Sequence, residues 1–241
     1  MKTIFNSEIQ IIYTDKGIGS SNCFLIKVTN GFILVDTGGC TIFNLDKSIS
    51  RNKLEKELSS AGCFPGNLKL IILTHGHTDH IGNALYFREK YKTKLAMNSN
   101  DIDHAVKKPE IPPKTYKSIA GNLLVLFYGS NWKKMNNEFE TFIPDLSIDE
   151  SFDLTQYGLD AKVLWIPGHT KGSIGILTKN KDLLCGDALV NILGPRTIAG
   201  KNTVDDLDDL TISIERLKKM NIGMVYTAHG KPFLMSEYSK N

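Results

Sequence analysis

Leu70-Ile71-Ile72-Leu73-Thr74-His75-Gly76-His77-Thr78-Asp79-His80-Ile81-Gly82 is the stretch whose reading decides the fold. Its apolar half, within Leu68–Thr74, reads as a short buried strand. Its polar half puts three imidazoles and a carboxylate, His75, His77, Asp79 and His80, within six residues. Such groups are poor core material, because each needs a partner once it leaves water. As donors to a transition metal they are consistent with one another, since neutral imidazole and carboxylate both suit first-row ions. Gly76 lets the donors turn inward from the strand end. Over Ile81–Tyr91, Ile81, Ala84 and Leu85 share one face of a predicted helix, which fixes where His80 points.

The other histidines repeat the pattern. The chain has six, and two more follow apolar strands: His169 after Lys162–Pro167 and His229 after Met224–Thr227. Asp187 follows a further run, Asp182–Cys185. Four strand ends therefore deliver His or Asp, each beside a glycine: Gly76, Gly168, Gly186 and Gly230. The competing reading, unrelated polar strand ends, requires four coincidences. His104, in SNDIDHAV, sits at a capped helix start and reads as a surface or pocket-lining residue, not a ligand.

Further strands are expected near Ile9–Thr14, Cys23–Thr29 and Gly31–Asp36, the last two joined by a hairpin at Asn30-Gly31. A helix over Ser48–Ala61 carries Leu54 and Leu58 and stops at Gly62 and Pro65. Leu207, Leu210, Ile214 and Leu217 mark another. It opens with Asp205, Asp206, Asp208 and Asp209 and closes with Lys218 and Lys219, matching the helix dipole at both ends. Alternating strands and helices predict an α/β fold. Residues 109–144, opening with Pro109, Pro112 and Pro113 and then rich in large apolar side chains, read as a helical insertion: a lid over an apolar substrate moiety, a packed hairpin or a dimer surface.

The 241 residues, 41% apolar, supply enough material for a sizeable core. The net charge of +3 comes from 29 basic and 26 acidic residues spread along the chain, so no nucleic-acid partner is suggested. No apolar run approaches the roughly 20 residues that cross a bilayer, nor does the N-terminus read as a signal peptide. Cys23, Cys40, Cys63 and Cys185 lie far apart without CxxC spacing and read as buried thiols. The expectation is a cytoplasmic protein with a small-molecule substrate and no membrane association; a homodimer stays open.

With these residues in hand, the chain resembles the metallo-β-lactamase superfamily. HGHTDH matches its HxHxDH motif. VDTG (Val35–Gly38), PGHT (Pro167–Thr170), GDA (Gly186–Ala188) and AHG (Ala228–Gly230) match its other landmarks in order, over roughly Cys23 to Pro232. The resemblance implies a single domain over 1–241, a four-layer αβ/βα sandwich with metals at one edge between two sheets. It implies one ion held by His75, His77 and His169, a second by Asp79, His80 and His229, and Asp187 bridging them. Asp36 would brace the ligand loops. Two divalent ions, zinc foremost with iron or manganese as alternatives, would present a hydroxide near neutral pH and polarise a carbonyl or phosphoryl oxygen, with Asp79 as the catalytic carboxylate. Lys171, Arg196 and Lys231 lie close in sequence to these residues and are candidates for contacting an anionic substrate, the alternative being plain solvent exposure.

Departures from family patterns narrow the substrate. True β-lactamases of the superfamily have Cys or Ser where this chain has Asp187. Glyoxalase II enzymes add a C-terminal helical region, and only eleven residues follow Gly230. Quorum-signal lactonases place a Tyr where Val190 stands, and flavodiiron proteins replace the equivalent of His77 with Glu. The tRNA-processing nucleases carry an RNA-binding arm with no counterpart here. The expectation is a dinuclear hydrolase acting on an ester, thioester, lactone or phosphodiester. The alternative is a mononuclear iron oxidoreductase of the persulfide dioxygenase type, and a non-catalytic binding module ranks last.

Overall fold

The computed structural model describes residues 8–14, 21–40, 46–108, 134, 137–192 and 204–238. The first half of the chain forms a six-stranded sheet: β1 (Ile9–Tyr13), β2 (Asn22–Val28), β3 (Gly31–Val35), β4 (Leu68–Ile72), β5 (Leu95–Met97) and β6 (Leu146–Ser147), in that spatial order. The β1–β2 and β2–β3 pairs are antiparallel, and the later pairs are parallel. Parallel neighbours need a crossover. The 14-residue helix α1 (Lys47–Ser60) joins β3 to β4. The second half forms a five-stranded sheet from β7 (Ala161–Trp165), β8 (Ile174–Thr178), β9 (Leu183–Leu184), β10 (Met224–Tyr226) and β11 (Phe233–Leu234), ordered β11-β10-β9-β8-β7.

Strand periodicity sorts the apolar side chains into layers, because successive side chains point to opposite faces. In β2, Cys23 and Leu25 enter a core shared with Leu54 and Leu58 of α1, whereas Phe24 and Ile26 enter a core between the sheets. β3 divides likewise, Leu34 facing the helices and Ile33 and Val35 the second sheet. A third core packs Leu183 and Val225 against Leu210, Ile214 and Leu217. The order is thus helix, sheet, sheet, helix: an αβ/βα sandwich. Both faces of the central strands are buried, which explains their near-continuous apolar sequences. Each such fully buried aliphatic side chain contributes about 1.5–3 kcal/mol.

Two local expectations shift. The predicted hairpin turn at Asn30-Gly31 lies one residue earlier: Val28 pairs with Gly31, leaving Thr29 and Asn30 as the loop, with Asn30 at φ 64°. Gly31 instead sits where a Cβ would lie 2.2 Å from the Asn67 carbonyl oxygen. The helix predicted from Ile81 to Tyr91 is broken into α2 (Thr78–Ile81) and α3 (Ala84–Tyr91). At the break, Asn83 N–H donates to the Gly38 carbonyl (3.2 Å), and its side chain donates to the Thr37 carbonyl and to Ser50 Oγ. The Asp-Thr-Gly loop has captured a group that a continuous helix would have used itself.

Further along come α4 (Ile102–Val106) and α5 (Leu207–Lys218). The acidic start of α5 caps it directly, Asp206 accepting from the N–H groups of Asp208 and Asp209. Of the proposed insertion, 109–133 and 135–136 lie outside the described residues. Its far end joins the fold: Phe139 and Phe142 are buried in the helix-side core, and Phe142 N–H donates to the Ala105 carbonyl. Those two aromatics, part of the stretch read in the sequence as a lid, a packed hairpin or a dimer surface, are core. All four cysteines are free and buried. Among the described residues no helix is long and apolar enough to cross a membrane.

Candidate metal centre

The polar residues singled out in the sequence follow strand ends in both sheets: Asp36 after β3, His75 after β4, His169 after β7, Asp187 after β9 and His229 after β10. The C-terminal edge of strands is where α/β folds place their ligands, because loops of different strands converge there. Here the loops bring seven donors together in two groups: His75, His77, His169 and Asp187, and Asp79, His80 and His229.

In the first group three ring nitrogens form a nearly equilateral triangle. His75 Nε2 and His77 Nδ1 are 3.1 Å apart, His169 Nε2 and His75 Nε2 3.2 Å, and His169 Nε2 and His77 Nδ1 2.9 Å. Protons cannot satisfy such a triangle, since each N–H serves one neighbour and leaves lone pairs facing each other. A cation satisfies all three at once: bonds of about 2.0–2.1 Å in tetrahedral geometry space nitrogens by roughly 3.4 Å. In the second group, Asp79 Oδ2 lies 3.5 Å from His80 Nε2 and 3.3 Å from His229 Nε2. Asp187 touches both groups: Oδ2 is 3.4 Å from His169 Nε2 and 3.2 Å from His229 Nε2, while Oδ1 is 3.6 Å from His80 Nε2. His80 Nε2 and Asp187 Oδ1 are both buried without a hydrogen-bond partner. A ring nitrogen and a carboxylate oxygen buried face to face with no hydrogen bond between them are what a coordinated cation resolves, so these residues fit metal ions.

The electrostatics separate the groups. Burial holds the His75 imidazole well below its usual value and pulls His77 down too, and it takes His169 to about 3, so these rings are neutral. Burial opposes charge on His80 as well, but the Asp79, Asp187 and Asp36 carboxylates outweigh it and raise His80 to about 10. His229, against Asp187 and Asp79, rises to about 12 despite burial. Burial alone would raise Asp79 and Asp187, yet the facing imidazoles keep both ionised. This half of the site is built for positive charge, whether carried by protons or by a metal.

The surrounding residues fix the donors. Asp36, fully buried and at φ 60°, accepts from Thr74 N–H (2.8 Å), Thr74 Oγ1 (2.8 Å) and His80 Nδ1 (2.9 Å). Asn22 Nδ2 donates to the Thr227 and Gly230 carbonyls on either side of His229. Gly230 is required by contact as well as conformation: its φ is 107°, and a Cβ there would lie 1.9 Å from the Asn191 carbonyl oxygen. Asp101, fully buried, receives hydrogen bonds from both the His75–His77 loop and the His169 loop. Sequence reading singled out neither Asn22 nor Asp101, whose partners lie far along the chain. His104 is exposed and packs over Gly76, its ring centroid 6.0 Å from that of His77, outside both donor groups. Lys171 and Lys231 are exposed beside the loops carrying His169 and His229, and Arg196 lies outside the described residues.

The sequence profile of the metallo-beta-lactamase superfamily matches residues 17–229. The probable metallo-hydrolase MJ0888 of Methanocaldococcus jannaschii is 29% identical over 213 residues, 88% of each chain. Hydroxyacylglutathione hydrolase GloC of Haemophilus influenzae is 26% identical over 125 residues, 51% of this chain and 50% of that one. Among solved structures, the metallo-beta-lactamase family protein TTHA1429 of Thermus thermophilus superimposes with a TM-score of 0.71 at 22% identity, covering 98% of this chain and 79% of that one.

Proposed function

The chain belongs to the metallo-β-lactamase superfamily and is a metal-dependent hydrolase; from that premise we propose that it works with two ions, one held by His75, His77 and His169, the other by Asp79, His80 and His229, with Asp187 shared. The observation that carries this reading is the Asp187 carboxylate, whose two oxygens reach donors of both groups at 3.2–3.6 Å. When bound, such ions, zinc foremost and iron or manganese otherwise, acidify water into a nucleophile near neutral pH and act as Lewis acids on a carbonyl or phosphoryl oxygen.

The chain's own residues do the rest. His75, His77 and His169 are kept neutral by burial, so they are ready to donate lone pairs without first losing protons. Asp79, with 19% of its side chain exposed, is the more accessible of the two site carboxylates. It orients the attacking water and accepts its proton. The exposed Lys171 and Lys231 contact an anionic part of the substrate. The substrate is an ester, thioester, lactone or phosphodiester. The Haemophilus relative, named a hydroxyacylglutathione hydrolase, supports keeping thioesters in that set.

Elemental analysis on chain purified without chelator or nickel resin tests the reading. Two ions per chain are expected, with hydrolysis of one of these substrate classes abolished in His77→Ala and Asp187→Ala chains that still fold. One iron per chain with substrate-dependent oxygen consumption would replace the proposal with a mononuclear oxidoreductase.

A further inference from the structure

Asp101 lies outside both donor groups yet ties their loops together. It follows β5 and stands at the start of α4, with no exposure to solvent. Oδ2 accepts from Gly76 N–H at 2.8 Å and from Thr170 Oγ1 at 2.7 Å; Oδ1 accepts from Gly172 N–H at 2.6 Å. Gly76 is the residue between His75 and His77, and Thr170 is the residue after His169. A single carboxylate thus clamps the backbone on either side of the three-nitrogen triangle, across 25, 69 and 71 residues of chain.

A buried carboxylate is costly unless its lone pairs are occupied, and this one accepts from two buried backbone N–H groups and a buried hydroxyl. Gly172 is shaped for the contact: a Cβ there would lie 2.6 Å from the Asp101 carboxyl carbon. Thr170 is held in turn by Ser173, whose Oγ lies 2.7 Å from Thr170 Oγ1 and accepts from Thr170 N–H at 3.0 Å. An amide could not replace the acid. Its NH2 would have to face at least one of the three donors.

We infer that Asp101 is a positioning residue that sets the mutual spacing of the His75, His77 and His169 nitrogens and thereby the affinity and geometry of the metal site they form. This rests on the dinuclear reading above. The role is distinct from that of Asp36, which bonds an imidazole directly; Asp101 acts on the peptide units that carry the imidazoles.

The test uses the full chain, stripped by chelator and reloaded, comparing wild type with Asp101→Asn, Thr170→Val and Asp103→Asn. Asp103 is an exposed neighbour paired with Lys107 and serves as the control. Zinc affinity is read by competition with a chromophoric chelator, and geometry by the visible absorption of the cobalt-loaded chain. In Asp101→Asn one of two zinc equivalents should weaken about 10- to 100-fold, the usual consequence of losing an outer partner of a ligand set. The cobalt spectrum should change as well. Thr170→Val, which removes one donor of three, should weaken the same equivalent to a lesser degree and serves if Asp101→Asn does not fold. Asp103→Asn should match wild type. Variants that melt lower yet bind zinc and absorb as wild type does would make Asp101 merely structural and overturn the inference. A wild-type chain that takes up no ion would instead overturn the metal reading itself, and the positioning role with it.

Discussion

Asp36 separates what the fold requires from what the metal centre requires. Its carboxylate accepts from three buried donors: Thr74 N–H, Thr74 Oγ1 and His80 Nδ1. In Asp36→Ala the threonine hydroxyl can turn to His75 Nδ1, 3.1 Å away. The Thr74 N–H and the His80 N–H cannot, and each buried unsatisfied donor costs about 1–3 kcal/mol. Alanine at φ 60° adds roughly 1 kcal/mol, since a Cβ disfavours the left-handed region and Asp tolerates it better. The sum is about 3–7 kcal/mol, and at about 2–4 °C per kcal/mol for a chain of this size the metal-free protein should melt about 6–28 °C lower. Asp36→Asn keeps shape and backbone preference, so its melting point should fall by less than about 5 °C. Its effect is on the ligand. A carboxylate only accepts, so it places the His80 proton on Nδ1 and leaves the Nε2 lone pair for an ion. An amide can present its NH2 to Nδ1, which then prefers to accept and sends the proton to Nε2. Affinity for the second ion should drop about 10- to 100-fold. Thermal unfolding of stripped protein and chelator competition at 25 °C measure the two quantities separately. Wild-type metal affinity in Asp36→Asn, or an unchanged melting point in Asp36→Ala, would refute the reasoning.

Metal loading should also release protons. At pH 8 His80 and His229, raised to about 10 and about 12, are charged, whereas His75, His77 and His169 are neutral. Bound metal must displace those protons, so affinity should keep rising with pH up to about 12, less steeply above about 10, instead of levelling near the ordinary imidazole value of about 6.5. Calorimetry in buffers of different ionisation enthalpy counts the protons, and a count of zero at pH 8 contradicts the assignment. Gly230→Ala should destabilise the chain by about 2–5 kcal/mol, from a Cβ 1.9 Å from the Asn191 carbonyl oxygen and a left-handed φ. Urea unfolding reads it, and a loss below about 1 kcal/mol would mean the loop yields freely.

Much of this architecture is legible in the sequence, and for identifiable reasons. β2, β3 and β4 are apolar on both faces because each lies between a helix layer and a second sheet. Their runs stand out without any partner being known. The donors are legible because an apolar strand that ends in His or Asp beside Gly puts a lone pair where packing has no use for one. Dividing seven donors between two ions was beyond residue spacing and came from family resemblance. The break at Gly82-Asn83 was hidden, because its cause is the Gly38 carbonyl on another loop. Asp101 was hidden for the same reason: nothing in SNDIDHAV announces that three donors from 25 to 71 residues away converge on it. Three-residue β5 and two-residue β6 carry too little pattern to stand out.

The division of the donors between the sheets has a consequence for the order in which the molecule assembles. His75 meets His169 across 94 residues, and Asn22 meets Gly230 across 208. Closing such long loops costs entropy that only a docked pair of sheets repays. The cluster is therefore expected to come together late, on the native side of the folding barrier. Substitutions within it should then act mainly on how quickly the finished chain comes apart, leaving the rate at which it folds nearly unchanged, and folding and unfolding rates of a His169→Ala chain would check this. An ion bound there would, by the same token, be a latch fastened last, and its gift to the protein would be longevity.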